Sequence, residues 1–286
     1  METYIVNDKT IQLPTSWVEC TFERFLKFSE ISDRISSKEK REILTDADEW
    51  QQTLDDLKDN TQVLSFWCNL PESEISLLDL DVATEIMNKL KFLGEEYLPI
   101  SIDSFTIGDE KFYLPKKLMA KSSFGRYIEA EQLEIQANML KEGVLSVLPR
   151  QVAILCKKEG EEDKLDDALI DKRAKQFEKL DMATIWDVGF FFGKVRTEVD
   201  VRFPNLSESS GGKEESKSRI AAKGTIDGYG WLNSLYDVAS SGIFTKNNLS
   251  PVESTLSTEL YEVLTYLSWK SACNDFEVKL NELNKK

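Results

Sequence analysis

The chain has 286 residues, of which 41% are hydrophobic and 30% charged, so it can bury a sizeable core in one large domain or a few small ones. Its formal net charge of -15 argues against a sequence-independent nucleic-acid binder or a protein that docks on an anionic membrane, because both need a basic face. Histidine is absent, which removes the imidazole base of the usual serine and cysteine nucleophile systems.

The cysteines and the first residues indicate in which compartment the protein works and whether it binds a cofactor. The four cysteines lie far apart and form no CxxC pair, so we expect reduced thiols in a cytoplasmic protein. The opening residues lack the basic start and apolar run of a signal peptide, and no stretch is apolar enough for a membrane span. Without histidine, and with scattered cysteines, we expect neither a metal site nor a cofactor, and no catalytic residues.

The first predicted elements are a β-hairpin and a helix. Residues 3–6 and 10–13 alternate around a short polar turn, and Pro14 ends the second strand. Thr21 then supplies an N-cap hydroxyl in front of an apolar helical pattern. Further helical segments follow up to about residue 93.

The same order of elements recurs about one hundred residues later. Residues 105–107 and 111–114 flank a Gly-Asp-Glu turn, Pro115 stops the strand, and Ser123 precedes an apolar helix. Three pairs of segments align in the same order: residues 4–14 with 105–115, 21–26 with 123–128, and 80–84 with 180–184. We therefore predict a tandem duplication, with homologous units over residues 1–101 and 102–203.

Charged residues in these units are interpreted first as structural. Arg24 and Arg126 each lie three residues after the predicted cap, and we expect them to pack along the helix or to pair with a nearby acid. The acidic run over residues 157–167 predicts a solvated loop or a helix start. Loose binding of a divalent ion by its carboxylates is the alternative.

The composition changes after residue 203. Residues 204–224 are rich in serine, glycine and charge, which predicts a flexible linker. Residues 225–286 predict a helical hairpin, which either folds back on the units or docks on another protein. The candidate partner-binding residues are apolar and aromatic side chains of this hairpin: Trp231, Leu235, Leu260, Leu264, Leu267, Trp269 and Phe276.

Three parts of the chain together resemble a group of bacteriophage morphogenesis proteins, the tail assembly chaperones of long-tailed phages. Residues 17–26 resemble the Trp–Thr–Phe/Leu helix opening of these proteins. Residues 105–114 followed by 123–129 resemble one of their hairpin-plus-helix segments, and residues 260–277 resemble their charged C-terminal helix. The duplication and the Ser/Gly segment depart from the family pattern.

The resemblance implies a non-enzymatic, protein-binding role in the host cytoplasm. Its partners would be other phage proteins, and the implied task is to hold a tail component, such as the tape-measure protein, soluble before assembly. A permanent structural protein of the tail or the head–tail junction is the alternative, with the virion as its location. A carboxylate-dependent enzyme is a more remote alternative. The predicted fold is α+β and mostly helical, with two homologous units and a C-terminal helical hairpin.

Overall fold

The computed structural model describes residues 1–6, 9–37, 45–140, 143–164, 166–207 and 230–284. The fold is α+β and mostly helical, with two small antiparallel sheets, which confirms the predicted class. The chain divides into two compact units. The first contains residues 1–100 and 178–186, and the second contains residues 101–177 and 187–286.

The first unit begins with a hairpin of β1 (Glu2–Val6) and β2 (Lys9–Leu13), in which Tyr4 pairs with Ile11. Its helices are α1 (Phe22–Ser36), α2 (Asp46–Cys68), α3 (Glu72–Ile75) and α4 (Leu80–Lys89), followed by the 3₁₀ helix Leu90–Gly94. Trp17 lies at the centre of an aromatic cluster, with ring centroids 5.0 Å from Phe92 and 4.4 Å from Trp186. Burial of these large rings supplies much of the hydrophobic stabilisation of the unit.

The second unit has a three-stranded sheet of β3 (Ser104–Ile107), β4 (Glu110–Tyr113) and β5 (Lys157–Lys158) in the order β3-β4-β5. Its helices, with α8 beginning in the first unit, are α5 (Phe124–Leu140), the 3₁₀ helix Val144–Val147, α6 (Leu148–Leu155), α7 (Asp167–Phe177), α8 (Met182–Arg202), α9 (Pro204–Ser207), α10 (Trp231–Ser241), α11 (Pro251–Leu256) and α12 (Leu260–Asn284). Phe105, Phe112 and Phe177 pack their rings together beneath the sheet.

The two hairpins share one register. Tyr4 pairs with Ile11 as Phe105 pairs with Phe112, and these are aligned positions of the two segments. Gly108 has a φ of +58° in the turn between β3 and β4, a conformation that glycine adopts without steric cost.

Helices α1 and α5 also begin in the same way. Thr21 forms an isolated antiparallel bridge with Asp181, and Ser123 forms one with Glu259. The Phe22 N–H donates to Leu180 O over 2.8 Å, as the Phe124 N–H donates to Thr258 O over 2.8 Å. Each helix start is therefore tied to a chain segment that is remote in sequence.

A duplication of whole units is not confirmed. Leu80, predicted to correspond to Leu180, is 78% exposed, whereas Leu180 is buried. The partner of the second bridge is Glu259, at the start of α12, and not a residue in the third pair of aligned segments. The likeness is therefore clear in the two hairpins and helix starts, and it is absent at the third aligned pair.

The predicted domain boundaries agree only in part with the compact units. The boundary after residue 101 lies beside the observed division after residue 100, but residues 178–186 belong to the first unit. The predicted C-terminal hairpin, residues 225–286, falls within the second unit. Of the predicted linker, Pro204–Ser207 is helical, and residues 208–224 lie outside the described residues.

Candidate functional site

Four of the predicted partner-binding residues lie in the core of the second unit. Leu235, Leu260, Leu264 and Leu267 are all buried. Trp231 is partly buried, and its ring centroid lies 5.5 Å from that of Tyr127. The hairpin therefore folds back as far as Leu267, and these side chains stabilise the unit instead of forming a free surface.

The remaining two candidates are exposed. Trp269 is 62% exposed and Phe276 is 65% exposed, both in the second half of α12. They belong to a row of apolar or sulfur-containing side chains with alternating spacings of four and three residues, which we call the C-terminal seam: Trp269, Cys273, Phe276, Leu280 and Leu283. Cys273 is partly exposed, and the others are exposed.

The C-terminal seam lies on the side of α12 opposite to the helix's buried face. At 3.6 residues per turn, the buried Leu260, Leu264 and Leu267 form one face, and the seam is about half a turn away from it. Beyond Leu267 the first face becomes mostly polar, with Ser271 and Asn274 at its next positions. The helix thus changes its apolar side where its contacts with the unit end.

A second candidate site is a groove within the first unit. It has a volume of about 850 Å³ and lies between β2, the start of α1 and the end of α2. Among the described residues of its lining, Lys9, Arg24 and Lys27 are basic and Glu23 is acidic; Lys9 pairs with Glu74 and Lys27 with Glu23, each over 2.7 Å. Arg24 is therefore the basic residue of the described lining whose charge has no carboxylate partner.

Arg24 is the central polar residue of this groove. Its Nη2 donates to Trp67 O over 2.5 Å, and its guanidinium carbon lies 4.7 Å from the centre of the Trp67 ring. Burial lowers the pKa of Arg24, and no carboxylate in the described part of the chain pairs with it. Trp67 is 0% exposed, and its indole Nε1–H has no acceptor among the described residues.

The aligned Arg126 has a different environment in the second unit. It is buried, it donates to Ile154 O at the end of α6, and its Nε donates to Asp163 Oδ1 over 2.7 Å. The other oxygen of Asp163 accepts from the Ser123 N–H over 2.7 Å. Arg126 therefore pairs with an acid, as predicted, whereas Arg24 bonds to a backbone carbonyl.

The acidic run is only partly the solvated segment that the sequence predicts. Asp163 bonds to Arg126, and Glu161 bonds to Arg173 through both oxygens, at 2.8 and 2.7 Å. Desolvation raises the pKa of Glu161, but its bonds to Arg173 and to the Lys158 N–H outweigh this, so that the pKa lies below its usual value. Within the described residues, no group of His, Cys, Asp or Glu side chains is arranged to hold a metal ion.

The most buried acidic cluster is also ion-paired. Arg196 bonds to Glu131 and Glu134, each over 2.6 Å. Burial raises the pKa of Glu131 against the opposing effect of Arg196. Carboxylates held in this way are typical of a structural network, although perturbed acids also occur in active sites.

Comparison with known proteins finds no protein-family model that matches the chain, and no curated protein or solved structure that matches it either. In the described part of the chain, no helix combines the length and the apolar character needed to span a membrane.

The sequence did not predict the groove, and of the five residues of the C-terminal seam it identified only Trp269 and Phe276 as partner-binding. The groove needs the spatial approach of β2 to the end of α2, which no local pattern indicates. The spacing of Trp269, Phe276, Leu280 and Leu283 was present in the sequence, but exposed and buried apolar positions of one helix look alike there.

Proposed function

We propose that the chain is a non-enzymatic protein-binding factor of phage tail assembly that holds a tail component soluble before assembly. The observation that supports protein binding most strongly is the C-terminal seam. A single helix presents a row of exposed apolar side chains there, on the side opposite to its own packing face. Exposed apolar surface of this kind is typical of an interaction site.

The spacing of the seam favours a helical partner. Apolar residues that alternate at intervals of four and three residues are typical of the contact line of a coiled coil. Trp269 and Phe276 have the size and exposure of anchor residues that carry most of an interface's binding energy. A long helical chain such as a tape-measure protein would offer such a partner surface.

The assignment to phage tails rests on the resemblance of residues 17–26, 105–114 with 123–129, and 260–277 to tail assembly chaperones. The duplication belongs to the same proposal, in which the matching hairpins and helix starts derive from one ancestral segment. The acidic character of the chain would keep a complex with an apolar partner in solution.

The proposal is tested by mass spectrometry on finished, purified particles, together with affinity purification from cells that produce them. A chaperone is expected to be absent from particles and to co-purify with a long helical protein. Stoichiometric presence in particles would replace the chaperone role with that of a structural subunit. Absence from particles, combined with no co-purifying partner, would overturn the proposal.

A further inference from the structure

The strand edge beside β4 is occupied, whereas the matching edge of β2 has no paired strand among the described residues. In the second unit, β5 pairs with β4 through Phe112 and Tyr113. The shared hairpin register makes Ile11 and Gln12 the corresponding positions of β2. Among the described residues no strand pairs with β2 on that side, and Ile11 and Gln12 line the groove of the first unit.

The chain that follows the helix explains this difference. Arg126 donates to Ile154 O near the end of α6, and the next residues run through an extended Cys156, with φ −97° and ψ 140°, into β5. Arg24 donates in the same way to Trp67 O near the end of α2. There the chain turns through Asn69, whose φ is 52°, and enters α3 instead of a strand.

In the second unit, a carboxylate also completes the site beside β4. Asp163 bridges the Arg126 guanidinium and the Ser123 N–H at the start of α5. The aligned groups of the first unit are Arg24 and the Thr21 N–H, and in the described part of the chain neither bonds to a carboxylate. An arginine without a carboxylate partner, next to a backbone N–H that makes no hydrogen bond among the described residues, favours an anionic group.

We propose that the groove of the first unit binds an extended, acidic segment of a partner protein. The segment adds a short strand to the free edge of β2 and places a carboxylate against Arg24 and the Thr21 N–H. The bound segment thereby takes the place in the first unit that residues 157–163 occupy in the second unit. This inference rests on the proposed protein-binding function and identifies a second contact with the partner, separate from the C-terminal seam.

The chemistry of the groove supports this occupant. Main-chain hydrogen bonds along an open strand edge are a common way to bind an extended peptide. Of the three basic residues in the described lining, Lys9 pairs with Glu74 and Lys27 with Glu23, so the charge of Arg24 is the one without a carboxylate partner. Trp67, a residue of the same lining, has a buried indole N–H that lacks an acceptor among the described residues.

The probe for the test is a fluorescein-labelled peptide with the sequence of residues 155–164, in which the cysteine is replaced by serine. Fluorescence anisotropy with the full-length protein gives its affinity, and the indole N–H resonance of Trp67 in an NMR spectrum gives its location. We expect saturable binding that shifts this resonance. The affinity should fall about tenfold for Arg24→Gln and for a peptide that carries the Asp163→Asn change.

Arg34→Gln is the matched control, because Arg34 is an exposed residue of the same helix outside the groove. It removes the same charge and should leave the affinity unchanged. No saturable binding of the peptide, or equal affinities for the Arg24→Gln and Arg34→Gln proteins, would overturn the inference.

Affinity purification from producing cells separates this inference from the proposed function. If a partner co-purifies equally well with the wild-type and Arg24→Gln proteins, the groove proposal fails and the protein-binding function stands. If no partner co-purifies with the wild-type chain, the proposed function itself fails.

Discussion

The two hairpin–helix segments of this protein have the same backbone pattern and differ in what completes them. In the second unit, β5 covers the edge of β4, and Asp163 neutralises Arg126. In the first unit, a groove of about 850 Å³ lies in that place, and Arg24 has only a carbonyl partner among the described residues. One local fold thus serves as a closed structural module in one unit and as an open surface in the other.

The two units differ in the residues that follow helix α2 in the first unit and helix α6 in the second. A left-handed Asn69 turns the chain away from β2, whereas an extended Cys156 leads it onto β4. The change leaves the hairpin, the bridge and the arginine in place in both units. It leaves donors and a strand edge available to another molecule.

The largest effect is expected at the two arginines. Arg126→Gln should lower the free energy of unfolding by about 3 kcal/mol, because it leaves Asp163 and Ile154 O without their buried partner. Arg24→Gln should cost about 1 kcal/mol, since it loses one carbonyl bond and the stacking on Trp67. Urea denaturation followed by circular dichroism measures both, and equal losses would contradict the contrast between the two sites.

The stability contributed by the Asp163–Arg126 ion pair in the second unit should depend on pH. Although burial raises the pKa of Asp163, Arg126, the Ser123 N–H and Lys157 lower it more strongly, so the pKa lies below its usual value. A carboxyl with a depressed folded pKa contributes stability above its unfolded pKa of about 3.9, and this contribution is lost as the pH falls through the folded value.

The corresponding variant is Asp163→Asn. We expect it to be less stable than the wild type by about 1–3 kcal/mol at pH 7, since Arg126 then lacks its charged partner. The difference should shrink as the pH falls below about 4, because the carboxyl becomes protonated first in the unfolded chain and, at still lower pH, in the folded protein. Urea midpoints at several pH values test this, and a difference that stays constant down to pH 3 would rule out the ion pair as its source.

The smallest effect is expected in the loops between hairpin and helix. The loop of the second unit is one residue longer between its proline and its bridge residue, and it contains three consecutive left-handed residues, Lys117, Leu118 and Met119. Lys117→Gly should therefore raise the stability by about 0.5–1 kcal/mol, since glycine adopts this conformation without strain.

Val18→Gly in the corresponding loop of the first unit is the control. Val18 is exposed and does not have a positive φ, so glycine there should lower the stability by about 0.5–1 kcal/mol through the entropy of the unfolded chain. Thermal unfolding of both variants measures the sign, and a loss in both would show that the left-handed turn is not strained.

Local patterns predicted the hairpins and the starts of α1 and α5, because alternation, proline and helix-cap residues act over a few residues. The Ser123 hydroxyl accepts from the Arg126 N–H as a cap, whereas the predicted capping bond of the Thr21 hydroxyl is not made. They did not predict the bridges from Thr21 to Asp181 and from Ser123 to Glu259, which depend on tertiary packing. The two-residue strand β5 is too short to give a periodic signal.

The same limit explains the mixed placement of the C-terminal candidates. The sequence identified an amphipathic region, and the structure buries Leu260 and Leu264 while exposing Trp269 and Phe276. A change of apolar side within one helix has no signature that distinguishes core from contact surface. The exposure of Leu280 and Leu283, and so their place in the seam, therefore follows only from the structure.

The most direct measurement of partner binding is a quantitative co-purification from producing cells, with the double variant Trp269→Ser/Phe276→Ser beside the wild type. The matched control is Leu77→Ser/Leu80→Ser, which changes two leucines of the first unit that are 80% and 78% exposed. All three proteins should fold alike, because exposed side chains contribute little to stability. We predict that the seam variant retains at most about one tenth of the co-purifying partner, while the control retains all of it. Equal recovery of the partner by the seam variant and the wild type would contradict a binding role for the C-terminal seam.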